Sequence, residues 1–150
     1  AAAAGALALA RPAATAQVAD LSDAINKAGR QRMLSQRMGK AWLAMLLSVE
    51  KTSAQLVLDK SITLFDRQLL ELKAFAPNPE VLATYTKLDS AWSDYKTLLV
   101  GKAPTREAAA ALLQQDAKVL ALAHQGTQQY EAALAKPVIT VDLATMSVSY

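Results

Sequence analysis

Between Ala24 and Met45 (AINKAGRQRMLSQRMGKAWLAM) five basic residues, Lys27, Arg30, Arg32, Arg37 and Lys40, stand among small and apolar ones with no acidic residue beside them. Arginine never deprotonates and offers a rigid planar fork of donors, so a cluster of this kind suits a small oxyanion better than it suits acid–base or nucleophilic chemistry. On a helix turning about 100° per residue, Arg30 and Arg37 share one face while Arg32 points roughly 140° away from Arg37. Arg32 thereby joins a heptad-like seam, Leu21, Ile25, Ala28, Arg32, Ser35, Gly39, Trp42, Leu46, Val49. Its neighbours one turn away, Ala28, Gly29, Ser35 and Gln36, are small or carry hydrogen-bonding groups. An unpaired charge in a seam loses several kcal/mol of hydration, so something anionic should meet Arg32 from another helix, another chain or a ligand. Arg30, Arg37, Lys27 and Lys40 read as a solvated face. Gly29 and Gly39 each weaken a helix by about 1 kcal/mol relative to alanine, which points to a close approach.

The helix carrying this box is the first of four. Leu34, Met38, Ala41 and Met45 run beside its seam and broaden its apolar face. A second seam, Leu58, Ile62, Phe65, Leu69, Leu72, Ala76, stops before Pro77-Asn78-Pro79, where Asn78 is placed to cap the next helix and Pro79 to open it. The third seam is Val81, Tyr85, Leu88, Trp92, Tyr95, Leu99, closed by Gly101. After Pro104-Thr105 a fourth follows, with Leu113, Ala117, Leu120, Ala123, Thr127, Tyr130 and Leu134 facing inward, and it ends at Pro137. The expected helices span about residues 18–50, 53–76, 79–100 and 105–136. The first boundary has no Gly or Pro, leaving Thr52 or Ser53 as its cap. Short connections force neighbours to run antiparallel, so the fold class is all-α, an up-down-up-down four-helix bundle over residues 17–137. Trp42, Leu46, Phe65, Leu69, Leu88, Trp92, Leu113 and Leu120 should form its core.

Composition agrees with one domain of 150 residues: 53% hydrophobic, rich in alanine, 5% aromatic and without cysteine, which excludes disulfides and thiolate metal sites. A net charge of +3 permits anionic ligands without demanding nucleic acid. Residues 1–16 read as a signal-peptide remnant or a disordered tail, because they are apolar and end in the small-x-small triplet Ala14-Thr15-Ala16. They are too short to span a bilayer. Residues 138–150 (VITVDLATMSVSY) fit neither heptad nor cap and read as an extended or mobile tail, with the hazard of pairing as a strand with another chain. The lone His124 reads as a core-edge or surface side chain and cannot anchor a metal by itself, and the carboxylates fall where solvent is expected. No catalytic constellation, phosphate-binding loop or base-stacking platform is legible, so neither enzyme nor cofactor is expected.

The run Ile25 to Met38, with Gly29, Arg32, Met33, Ser35 and Arg37, resembles the box of PilJ-type domains of type IV pilus chemotaxis transducers. It is also similar to the periplasmic P-box of NarX-type nitrate sensor kinases. The resemblance implies a periplasmic, exported helical bundle, homodimeric through its first helix, that holds a nitrate-like oxyanion between equivalent arginines. Carried onto this chain, the ligand-binding residues are Arg32, Gly29, Ser35, Gln36 and Ala28, with Arg30, Met33 and Arg37 supporting the box. A competing expectation is a structural or protein-interaction module of the pilus or chemosensory machinery without a small ligand. Nucleic-acid binding is disfavoured by the modest charge and by the apolar seam sharing the basic helix.

Overall fold

The computed structural model describes residues 18–135, together with the backbone of 140–142 and 147–149. The expected leader over residues 1–16, the start at Gln17 and the stop at Pro137 lie outside the described residues. Four helices follow in order: α1 Leu21–Leu46, α2 Lys51–Phe75, α3 Pro79–Val100 and α4 Arg106–Ala135. Helix α1 packs between α2 and α4, α4 closes on α3, and α2 and α3 meet more sparingly. With connections this short, that neighbourhood is an antiparallel four-helix bundle.

Each start has a local cause. Asp20 Oδ1 accepts from Asp23 N at 2.8 Å while Asp23 Oδ2 accepts from Ala19 N at 2.9 Å, a reciprocal clasp that holds the first turn of α1. Asn78 Oδ1 accepts from Val81 N at 3.0 Å with Pro79 opening α3, and Thr105 Oγ1 accepts from Ala108 N at 3.2 Å at the head of α4. Gly101 stands at the α3 C-cap in right-handed conformation, its N–H bonded to Thr97 O at 2.8 Å.

The first boundary departs from expectation. Helix α1 stops at Leu46 rather than near residue 50. Ser48 adopts the left-handed conformation with φ 58°, Ser48 N donates to Met45 O, and Val49 N donates to Ala44 O at 2.8 Å. This is a Schellman stop, a role glycine usually fills because a Cβ disfavours that conformation. Glu50, also left-handed at φ 44°, takes the N-cap position of α2 without a side-chain cap bond, so neither Thr52 nor Ser53 caps it.

The inward stripes of α2 and α3 are as expected except at one end: Leu58, Ile62, Phe65, Leu69 and Leu72 are buried, as are Val81, Tyr85, Leu88, Trp92, Tyr95 and Leu99, whereas Ala76 lies past α2 at its C-cap and is only partly covered. Phe65 and Trp92 join them across the bundle with ring centroids 4.3 Å apart. Helix α4 corrects the sequence reading. Its buried residues are Leu112, Val119, Ala123, Gly126, Thr127 and Tyr130, whereas Leu113 and Leu134 are about half exposed, Ala117 is exposed and Leu120 only partly covered. On α1, Leu46 is likewise only partly covered, and Val49 lies beyond the helix and exposed.

Beyond the bundle, β1 Thr140–Asp142 and β2 Ser147–Ser149 pair antiparallel, Val141 opposite Val148. The segment expected to be extended thus pairs with itself. Among the described residues no helix is long and apolar enough to cross a membrane.

Candidate functional site

Helix α1 distributes its box over three surroundings. Its buried face is centred on Ala28, Gln31, Leu34, Ser35 and Met38, which places Arg32 at the flank facing α4 rather than in the middle of a seam. Ala28 is wholly buried packing. Ser35 is wholly buried too, and its Oγ donates to Asp116 Oδ1 of α4 at 2.6 Å while Tyr95 OH donates to Ser35 O at 3.1 Å. A Cβ on Gly39 would lie 3.2 Å from both Asp116 Oδ2 and Tyr95 Oη, so the close approach expected at this glycine exists and admits these polar groups. Burial, followed by the charge and hydrogen bonding of Asp116, pushes the Tyr95 phenol well above its ordinary pKa.

Arg32 meets a side chain that its spacing did not suggest. Its Nη1 lies 2.8 Å from His124 Nδ1 of α4, and its other terminal nitrogen folds back to 3.5 Å from where a Cβ of Gly29 would stand. That is an ordinary contact distance and no neighbouring helix comes as near, so the close approach expected at Gly29 is not found. Because a guanidinium has no acceptor, the imidazole must be the acceptor here. No carboxylate among the described residues pairs with Arg32, and what meets it from α4 is a histidine rather than an anion.

The third surrounding is a cleft of about 590 Å³ between α1 and α2. Met33, Gln36, Arg37 and Lys40 line it from α1, and Ser53, Ala54 and Val57 from α2. Gln36 and Arg37 are exposed there, as is Arg30 further along α1. Ala28 and Ser35, one turn from Arg32 on α1, are wholly buried, with Ser35 engaged by Asp116, and Gln36 lines the cleft; of the box, only Gly29 lies against the Arg32 guanidinium.

Two expectations about charge are corrected. Lys27 is not solvated: its Nζ bonds Glu71 Oε2 of α2 at 2.7 Å and lies 3.4 Å from Asp23. Burial opposes its charge, but Glu71 and Asp23 outweigh that and raise its pKa above the usual lysine value. Nor are the carboxylates all turned to water. Besides Glu71 and Asp116, Asp66 accepts from Trp92 Nε1 and Lys96 Nζ, both at 2.6 Å. The residues missed from sequence are Asp116 and His124. Asp116 was detectable, since it continues the four-and-three spacing from Leu112 to Val119 and Ala123. His124 carries no such signal.

No curated protein and no solved structure matches the chain in comparison. Residues 13–127 match the family described as Type IV pili methyl-accepting chemotaxis transducer N-term, PilJ. With that match spanning most of the chain, the protein belongs to the PilJ family, a sensor-type helical domain of chemotaxis transducers.

Proposed function

We propose that this domain works outside the cytoplasmic membrane as a sensor that holds a small nitrate-like oxyanion at Arg32, with two copies meeting through α1. The observation that carries this reading is the Arg32 guanidinium itself: partly exposed at the α1–α4 edge, within the family box, with no carboxylate partner among the described residues. Arg30, Arg37 and Lys40 are exposed as well, but Arg30 and Arg37 stand roughly opposite Arg32 around the helix. Two such helices brought together across a two-fold axis set cation against cation, and an oxyanion between the arginine forks relieves that repulsion. Anion binding and dimerisation then strengthen each other.

A panel of small anions assayed by thermal shift and sedimentation tests this. Nitrate or a related oxyanion is expected to raise the melting temperature and shift wild type toward dimer. Arg32→Ala should abolish both effects with helical content unchanged. Arg32→Lys should restore them only in part because the planar fork is lost, and Arg37→Ala should weaken them less. An anion-independent monomer, or equal binding by Arg32→Ala, overturns the reading. A second reading, a protein-interaction module without a small ligand, is favoured by the exposed Met33, Val49 and Val57 around the α1–α2 cleft.

A further inference from the structure

We propose that His124 of α4 is the second residue of the Arg32 site and makes anion binding take up a proton. This rests on the reading of Arg32 as the anion ligand. The 2.8 Å contact from Arg32 Nη1 to His124 Nδ1 exists only while Nδ1 holds a lone pair, because arginine can donate but not accept. The ring is then neutral, with its proton on Nε2, and it occupies a donor position that an oxyanion would use. A proton on Nδ1 reverses the contact: two donors and two cations face each other, and an anion between them accepts from both. Histidine is the side chain that makes this change between about pH 5 and 8.

Little else competes for the ring. From α1, Arg32 meets it, while Lys27, further along that helix, is engaged by Glu71 and Asp23. On α4 the positions one turn away, Leu120, Ala121, Thr127 and Gln128, are uncharged, Glu131 stands exposed two turns on along the same face, and Asp116 is turned inward to Ser35. From α3, on the other flank of α4, Glu80 accepts from Gln129 at 3.4 Å, and Lys87 shares a cleft with Lys118 and Ala121. The ring is exposed, so protons reach it from solvent.

Sodium nitrate titrated calorimetrically into the full chain at constant ionic strength, in buffers of different ionisation enthalpy, measures the proton taken up. Wild-type affinity should rise as pH falls from about 8 to about 5, by at most tenfold per unit for one coupled proton. His124→Gln keeps an acceptor that does not titrate, and should bind with neither proton uptake nor pH dependence. If wild type and His124→Gln bind with the same pH-independent affinity while Arg32→Ala does not bind, this proposal fails and the anion reading stands. If Arg32→Ala binds as wild type does, or nothing binds nitrate, the anion reading fails and this proposal with it. Nitrogen NMR of the single histidine gives a ligand-free readout. The Nε2–H tautomer with an Nδ1 resonance that moves in Arg32→Ala is expected; an Nδ1–H tautomer overturns the assignment.

Discussion

Tyr85, Tyr95 and Tyr130 are all wholly buried, yet their hydroxyls differ in what they meet. Tyr130 donates to Leu72 O at 2.8 Å, bonding α4 to a backbone carbonyl of α2, and Tyr95 does the same for α3 and α1 through Ser35 O. The Tyr85 hydroxyl has no hydrogen-bond partner among the described residues and lies against Gly126, where a Cβ would come within 2.5 Å of it. Removing a bonded hydroxyl loses a hydrogen bond, even where the acceptor keeps a second donor as Leu72 O keeps Ala76 N, whereas removing an unbonded one sheds a desolvated polar group. Tyr130→Phe should therefore cost about 0.5–1.5 kcal/mol in urea denaturation, and Tyr85→Phe should be neutral or stabilising. Equal losses in the two variants would contradict this assignment of partners.

At the scale of the element, α4 shows how a polar residue can hide a stripe. Its inward positions step from Leu112 through Asp116, Val119 and Ala123 to Thr127 and Tyr130, and a reading that follows apolar residues past Asp116 slips by one, onto Leu113, Ala117 and Leu120. Asp116 tolerates its place because Ser35 Oγ donates to it and it remains partly exposed. The corrected stripe predicts that Leu112→Ala costs about 2–5 kcal/mol while Leu113→Ala costs under about 0.5 kcal/mol. Chemical denaturation of the pair decides between the two registers. Helix α3 carries no charge on its inward side, and there the apolar spacing and the buried stripe coincide from Val81 to Leu99.

Across the whole molecule, the buried acid–base groups make alkali the condition to which the bundle is sensitive. Burial pushes Tyr130 up to about 12, and Tyr85 and Tyr95 higher still; Lys27 is also raised. All four hold their protons in the folded chain at pH values where an unfolded chain, with tyrosine and lysine near about 10, releases them. Their stabilisation is complete below about pH 10 and is lost as pH rises through the folded values. The urea midpoint should therefore fall steeply above about pH 10, with tyrosinate absorbance appearing together with loss of helix. A midpoint that stays level to about pH 12 would count against it. Asp23 is shifted the other way: the Ala19 backbone N–H lowers its pKa against a smaller effect of burial, so its contribution is present above about pH 4 and lost below.

Local chemistry was sufficient for much of this protein: proline and asparagine at residues 77–79, threonine at 105 and the apolar spacing of α2 and α3 specify where helices start, stop and turn inward. The box on α1 was equally legible, because five basic residues without an acidic neighbour stand out in any chain. What their side chains meet was not. Whether Arg32 faces a carboxylate or an imidazole, whether Ser35 points to a ligand or to Asp116, and whether Lys27 is solvated or clasped by Glu71 depend on residues far away in sequence. Periodicity reports which face of a helix is inward but not the rotation and register of its neighbour, and those set every contact between helices. The Schellman stop at Ser48 escaped for a related reason. A left-handed serine has no signature of its own, and only the bonds it completes reveal that the chain turns there.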